Sequence, residues 1–204
     1  MLNHDTHFMQ LTDIRLVHQG SFLSCYEMDY KDSAGNAKTY EMISRSGSIQ
    51  STLPPISDKN ADALPAQAVT LMVLNEEQTK MLVPAEFRMA INRFVVNQIS
   101  GLIDEGEDED HAAVRELFEE TGLELAEIID KLPPAYSCAG ISDDMATQII
   151  CTARGELRGS NSVNEEINCE WMDKEQIKEL LSNRDISIGG RCQAYMYMWA
   201  HHGT

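Results

Sequence analysis

The sequence lacks paired cysteines. Its five (Cys25, Cys138, Cys151, Cys169 and Cys192) are odd in number, far apart and without a C-x-x-C pair. That argues against a disulfide framework or a cysteine-rich zinc site and for a reducing compartment. Long hydrophobic runs are also missing: the longest, such as Ala68–Leu74, fall far short of the roughly 20 residues that span a bilayer. The opening residues, Met-Leu-Asn-His-Asp-Thr-His, include neither a basic nor an apolar stretch, so no secretory signal is expected. Basic residues are scarce. Sixteen Lys and Arg stand against 33 Asp and Glu, a net charge of −17, and a surface that negative repels phosphate backbones and anionic lipid. Nucleic-acid and membrane-surface roles are thereby disfavoured. A cytoplasmic protein that concentrates divalent cations is expected. No internal repeat or low-complexity tract is present.

What is there suits one domain with a modest appendage: 204 residues, 43% of them hydrophobic, enough to bury a core without metal or disulfide staples. Residues 1–50 read as strands (Thr12–His18, Phe22–Tyr30, Lys38–Ser44) with a turn at Ser33–Asn36. They predict a small N-terminal antiparallel sheet. Residues 51–65, with Pro54-Pro55 and Pro65, read as a linker or insertion. Residues 66–204 read as the main domain. Its expected strands are Ala68–Leu74, Met81–Val83, Phe94–Ile99, Thr147–Ala153 and Ile167–Met172. Its helices are expected at Glu109–Thr121, Lys174–Leu181 and Arg191–His201. Strands mixed with helices predict an α/β (α+β) layered fold.

The acidic charge concentrates in residues 101–123, where Arg115 is the one base. A solvated helix face is the ordinary explanation of such a run, but its phase points elsewhere. Asp108 is placed to cap a helix that Gly122 ends in a left-handed conformation. Ala113/Leu117 and Val114/Phe118 are i,i+4 pairs that predict an apolar stripe. Glu116 and Glu120 are also i,i+4, with Glu119 beside them, so three carboxylates are expected on one side of the last two turns. Stacked like charges repel and need a compensating cation. Oxygen-only ligands suit Mg²⁺ or Mn²⁺ rather than zinc.

These residues resemble the Nudix hydrolase signature: Gly, five residues, Glu, seven residues, Arg-Glu-aliphatic-x-Glu-Glu-x-Gly-aliphatic. The chain fills it with Gly101, Glu107, Arg115-Glu116-Leu117, Glu119-Glu120 and Gly122-Leu123. Seven fixed residues make a chance match rarer than about one in a million. The resemblance implies an α/β/α sandwich with a mixed sheet, and Mg²⁺-dependent hydrolysis (Mn²⁺ as an alternative) of nucleoside diphosphates linked to another group. It implies Glu116 and Glu120 as principal metal ligands, with Glu119 and the Ser100 carbonyl as further ones. Arg115 would orient the carboxylates, and Glu107 would brace the loop.

Outside the signature the chain is similar to the ADP-ribose pyrophosphatase branch of nucleoside-diphosphate-sugar hydrolases, in which an N-terminal sheet helps make a homodimer. On that resemblance Arg45 and Arg88, the latter in Glu86-Phe87-Arg88, would hold nucleotide or phosphate, the alternative being surface arginines. Phe22 would stack on a base or else belong to the core. The branch's Leu-Pro-Ala-Gly is replaced by Gln98-Ile99-Ser100-Gly101, and Ser142-Asp143-Asp144 stands where Ser-x-Glu is common. Asp143 becomes a further candidate substrate contact. Cys138 reads as a small packing residue. The general base is expected just before a late strand, at Glu166, with Glu165 the alternative and Glu119 or Asp143-Asp144 beyond them. The function expected is hydrolysis of ADP-ribose or a related nucleoside-diphosphate sugar to a nucleoside monophosphate and a sugar phosphate. The alternatives are a Nudix hydrolase for a dinucleotide or another sugar nucleotide, and a non-catalytic ADP-ribose sensor, against which the complete signature weighs.

Overall fold

A computed structural model describes residues 9–45, 49, 65–160 and 166–202. The expected linker at 51–65 lies outside these except for Pro65. The chain divides into two compact units: Met1–Pro65 with Tyr136–Met145, and Ala66–Ala135 with Ala146–Thr204.

The first unit is a three-stranded antiparallel sheet in the order β1-β2-β3: β1 (Met9–Gln19), β2 (Ser24–Asp32) and β3 (Ala37–Ser44). The β2–β3 turn is built by Asp32, whose carboxylate accepts from the backbone N–H groups of Ala34 and Asn36, while Gly35 supplies a φ of +85°. Tyr26, Met28, Met42 and Ile49 form its buried core. The middle of Tyr136–Met145 bonds to this sheet: Ile43 N–H donates to the Ile141 carbonyl, and the Tyr40 hydroxyl to that of Gly140. Strand β2 begins two residues later than its hydrophobicity suggests, because Gly20 N–H donates to Leu23 O (2.8 Å) and closes a turn over Phe22.

The second unit is a mixed sheet between helices. Its strands are β4 (Ala68–Asn75), β5 (Lys80–Arg88), β6 (Arg93–Val96), β7 (Ile99–Leu102), β8 (Glu124–Lys131), the two-residue β9 (Ala135–Tyr136), β10 (Met145–Arg154) and β11 (Ile167–Asp173). The main order is β11-β5-β4-β10-β8, with β6 on β5 and β7 on β4. β4 and β10 run parallel; the other pairs in this order are antiparallel. β4 is apolar almost throughout because it is central and covered on both faces. On one face α1 (Glu109–Thr121) closes a core of Val69, Leu71, Leu82, Ile99, Leu117 and Ile149. On the other, α2 (Lys174–Ser182) and α3 (Gly190–His202) cover Met72, Leu74, Val83 and Val96 with Ile177, Met196 and Trp199. This is the α/β/α arrangement that the signature implies.

One strand expectation needs correction, and one strand went unexpected. The run Phe94–Ile99 is two strands, since its first half pairs with β5 and its second with β4. The chain changes partner at Asn97-Gln98. Strand β8 was not legible: it is a charged, largely exposed edge strand without clean alternation, of the kind sheets use to blunt an edge. All five cysteines are free. Cys138 is exposed instead of packed. Among the described residues no helix is long and apolar enough to cross a membrane.

Candidate active site

The signature lies wholly in the second unit, as strand β7, a loop and helix α1. The helix begins where the sequence says it should: the Asp108 carboxylate accepts from His111 N–H at 2.9 Å, and Gly122 ends it at φ 73° with its N–H on Phe118 O. Its buried side differs from expectation. Ala112, Ala113, Leu117 and Thr121 face the core, whereas Val114 and Phe118 are exposed. The close approach to the sheet admits small side chains, and Phe118 instead lies under the Arg158 guanidinium at 5.1 Å.

Arg115 is the hub. Its Nε and Nη2 donate to the two Glu107 carboxylate oxygens at 3.0 and 2.8 Å, its Nη2 also to the Leu102 carbonyl, and its Nη1 to Glu116 Oε1 at 2.7 Å. One planar guanidinium thus ties strand, loop and helix together, and the fork geometry sets the Glu116 carboxylate in a fixed orientation. Its bonds, that to Glu107 first, push the guanidinium pKa further up and hold Glu107 below the ordinary carboxylate range. Glu107 also accepts from Asp104 N–H, which braces the loop. Gly101 completes the cradle: a Cβ there would stand 1.8 Å from the Glu116 carboxylate, so any side chain at 101 would displace it. Ser100, opposite Thr70 across β7 and β4, brings its backbone into the same strand.

The expected stack of three carboxylates is a pair with a third turned aside. Glu116 is 13% exposed along its side chain and Glu120 is 7% exposed. Glu119 is 56% exposed and sits 3.5 Å from Arg115 Nη1, because successive helix residues point about 100° apart. Among the described residues no three acidic, His or Cys side chains converge as a ready-made cation site. Two shielded carboxylates one turn apart still suit Mg²⁺, which keeps several waters and takes one or two carboxylates plus substrate phosphates.

A further acid, not singled out from the sequence, faces the same side. The β5–β11 register pairs Leu82 with Trp171, Pro84 with Cys169 and Glu86 with Ile167. Leu82, Cys169 and Trp171 belong to the α1-side core, so strand alternation puts Glu86 and Arg88 on that face too. The Cys169 thiol is pushed up to about 12 by burial first, then by the charges of Glu120 and Glu86. Glu86 pairs with Arg88 Nη2 at 2.6 Å. The i,i+2 spacing of acid and base on a strand was the available signal. Glu166 is exposed, directly before β11, with its carbonyl accepting from Phe87 N–H at 3.0 Å; Glu165 lies outside the described residues.

The other candidates belong to the first unit. Arg45 is 3.7 Å from Asp144 Oδ1. Asp143 is buried and accepts from Ser44 Oγ at 2.9 Å. Phe22 is 84% exposed, which removes the core alternative for it.

The NUDIX domain family model matches residues 64–188, more than half of the chain. The mouse (Mus musculus) protein named ADP-sugar pyrophosphatase is 25% identical over 150 residues, covering 74% of this chain and 64% of that protein. The Bacillus subtilis (strain 168) protein named ADP-ribose pyrophosphatase is 25% identical over 133 residues, 64% of this chain and 71% of that one. The chain thus spans just under two thirds of the mouse relative. A crystal structure described as an ADP compounds hydrolase superposes with a TM-score of 0.66 at 14% identity, covering 97% of this chain and 98% of that one, and shares the fold. With a complete signature on a strand–loop–helix and a family match over most of the second unit, the chain belongs to the Nudix hydrolase family.

Proposed function

We propose that this protein hydrolyses the pyrophosphate bond of a nucleoside-diphosphate derivative, with ADP-ribose or a related nucleoside-diphosphate sugar the leading substrate. The observation that carries the reading is the Glu116 carboxylate, seated on Gly101 and held by Arg115, one turn from the buried Glu120. Glu116, Glu120 and the Ser100 carbonyl would hold Mg²⁺ or Mn²⁺, with Glu119 able to join them. When bound, such an ion neutralises the anionic oxygens that make a pyrophosphate a poor electrophile. Arg115 keeps Glu116 oriented, and Arg88 binds phosphate. Within the first unit, the bonds Ser44–Asp143 and Arg45–Asp144 hold the backbone around Arg45, which with the exposed Phe22 is a further candidate for contact with a nucleotide. Glu166 accepts a proton from the attacking water. The new P–O bond forms as the bridging P–O bond breaks, and the bridging oxygen leaves on the second phosphate. The products are a nucleoside monophosphate and a sugar phosphate. The names of the mouse and B. subtilis relatives support this substrate class.

Incubating the protein with Mg²⁺ and a panel of nucleoside-diphosphate sugars and dinucleotides, with products identified by mass spectrometry, tests the reading. Nucleoside monophosphate plus sugar phosphate is the expected outcome. Cleavage of dinucleotides alone selects the alternative substrate, and binding without turnover selects the sensor reading.

A cytoplasmic homodimer completes the proposal. Strand β1 is an exposed 11-residue edge with Leu16 and Val17 uncovered, and a three-stranded sheet with such an edge is marginal alone. Sedimentation at micromolar concentration is expected to give a dimer that deleting β1–β3 abolishes; a monomer refutes it.

A further inference from the structure

Glu86 is an acid beside a base that the proposed reaction needs for itself. Arg88 ends strand β5 with its side chain 45% exposed, and its partner Glu86 is only 15% exposed. An exposed arginine at a strand end samples many rotamers, and an ordinary surface ion pair adds little to hold it. This pair differs in how its acid is fixed. Glu86 Oε1 accepts from Asn97 Nδ2 at 2.7 Å. Asn97 is itself clamped: its N–H donates to the Pro84 carbonyl at 3.0 Å, and a Cβ on Gly189 would stand 2.7 Å from its Oδ1. Asn97 also lies where the chain changes partner between β6 and β7, so the brace is built on the strand switch itself. A chain of contacts therefore runs from Gly189 through Asn97 and Glu86 to one Nη of Arg88.

We propose that Glu86, braced by Asn97, is a positioning residue that presents Arg88 to the phosphates of the substrate. The proposal rests on the pyrophosphatase reading above and adds to it a residue that touches no substrate. It accounts for a carboxylate being kept beside a phosphate-binding arginine, where its charge would otherwise oppose an anionic ligand. The pre-formed ion pair fixes one side of the planar fork and so reduces the ordering that binding must accomplish.

The test is a double-mutant cycle with steady-state kinetics on the hydrolysed nucleoside-diphosphate sugar. Glu86→Gln, which keeps shape but removes charge, is expected to raise KM about 10-fold, as for loss of one charge-assisted contact, with kcat within about twofold. In an Arg88→Ala background the same change is expected to leave KM within about twofold. An unchanged KM in the first background, or an equal rise in the second, overturns the proposal, because a merely structural acid would act without regard to Arg88. Should Glu86→Gln not fold, Asn97→Ala, which removes the brace and leaves the ion pair, is expected to raise KM in the same direction; no rise overturns the proposal. A wild-type protein inactive on every substrate would instead count against the pyrophosphatase reading. The Arg88 guanidinium Nη–H resonances then decide for Glu86: protected from water exchange in the wild type and exposed in Glu86→Gln supports positioning, and no difference overturns it.

Discussion

Glu120→Gln is expected to abolish most turnover while the protein still folds. The substitution keeps the volume of a side chain that is almost fully buried and deletes one charge from the pair proposed to hold the cation. Even residues that only support metal ligands typically cost 10–100-fold when changed, so loss of a ligand charge is expected to cost at least about 100-fold in kcat. Excess chelator is expected to do the same to the unaltered protein, and added Mg²⁺ or Mn²⁺ to restore it. A far-ultraviolet circular dichroism spectrum and melting curve close to wild type would show that the loss is chemical. Full activity in chelator, or in the Gln variant, would overturn the metal reading. Glu116→Gln is expected to be comparably damaging and to loosen the loop as well, since Arg115 Nη1 loses a charged acceptor.

Glu166→Gln is expected to lower kcat by roughly 10²–10⁴-fold with little change in KM, the range for losing a general base. The side chain stands at the entrance to β11 on a backbone anchored by Phe87 N–H. Phe87 lies between Glu86 and Arg88 in the strand that carries the arginine proposed to bind phosphate. A carboxylate there has a fixed root and an exposed head, which suits a group that must reach a water and withdraw. Stopped assays of Glu166→Gln and Glu165→Gln side by side provide the check. If both keep near-normal kcat, the base lies elsewhere, with Glu119 and Asp143-Asp144 the next positions to change. A rise in KM without loss of kcat would make Glu166 a binding residue.

The limits of α1 could be read from the sequence because capping is local. Asp108 needs only the N–H three residues on, and Gly122 only its own left-handed backbone. The signature spacing likewise encoded the contacts of Arg115, since Glu107 and Glu116 are close to it along the chain. The central strand β4 announced itself as an uninterrupted apolar run, as burial on two faces requires. The capping box of α2, in which Asp173 and Gln176 exchange bonds, is of the same short range.

The family, the limits of the signature helix and the spacing of Glu116 and Glu120 on it were legible in the sequence, because each depends on residues within a few turns of one another. Only the tertiary structure decided which side of α1 is buried, since hydrophobicity says what can be covered and not which small side chains meet the sheet. It also decided that Phe94–Ile99 splits between two partners and that the charged segment Glu124–Lys131 becomes an edge strand, as pairing is a property of the neighbour. The Asn97–Glu86–Arg88 brace was hidden for the same reason: its bonds cross between strands, and a hydrogen bond between residues 11 apart leaves no periodic mark in the chain.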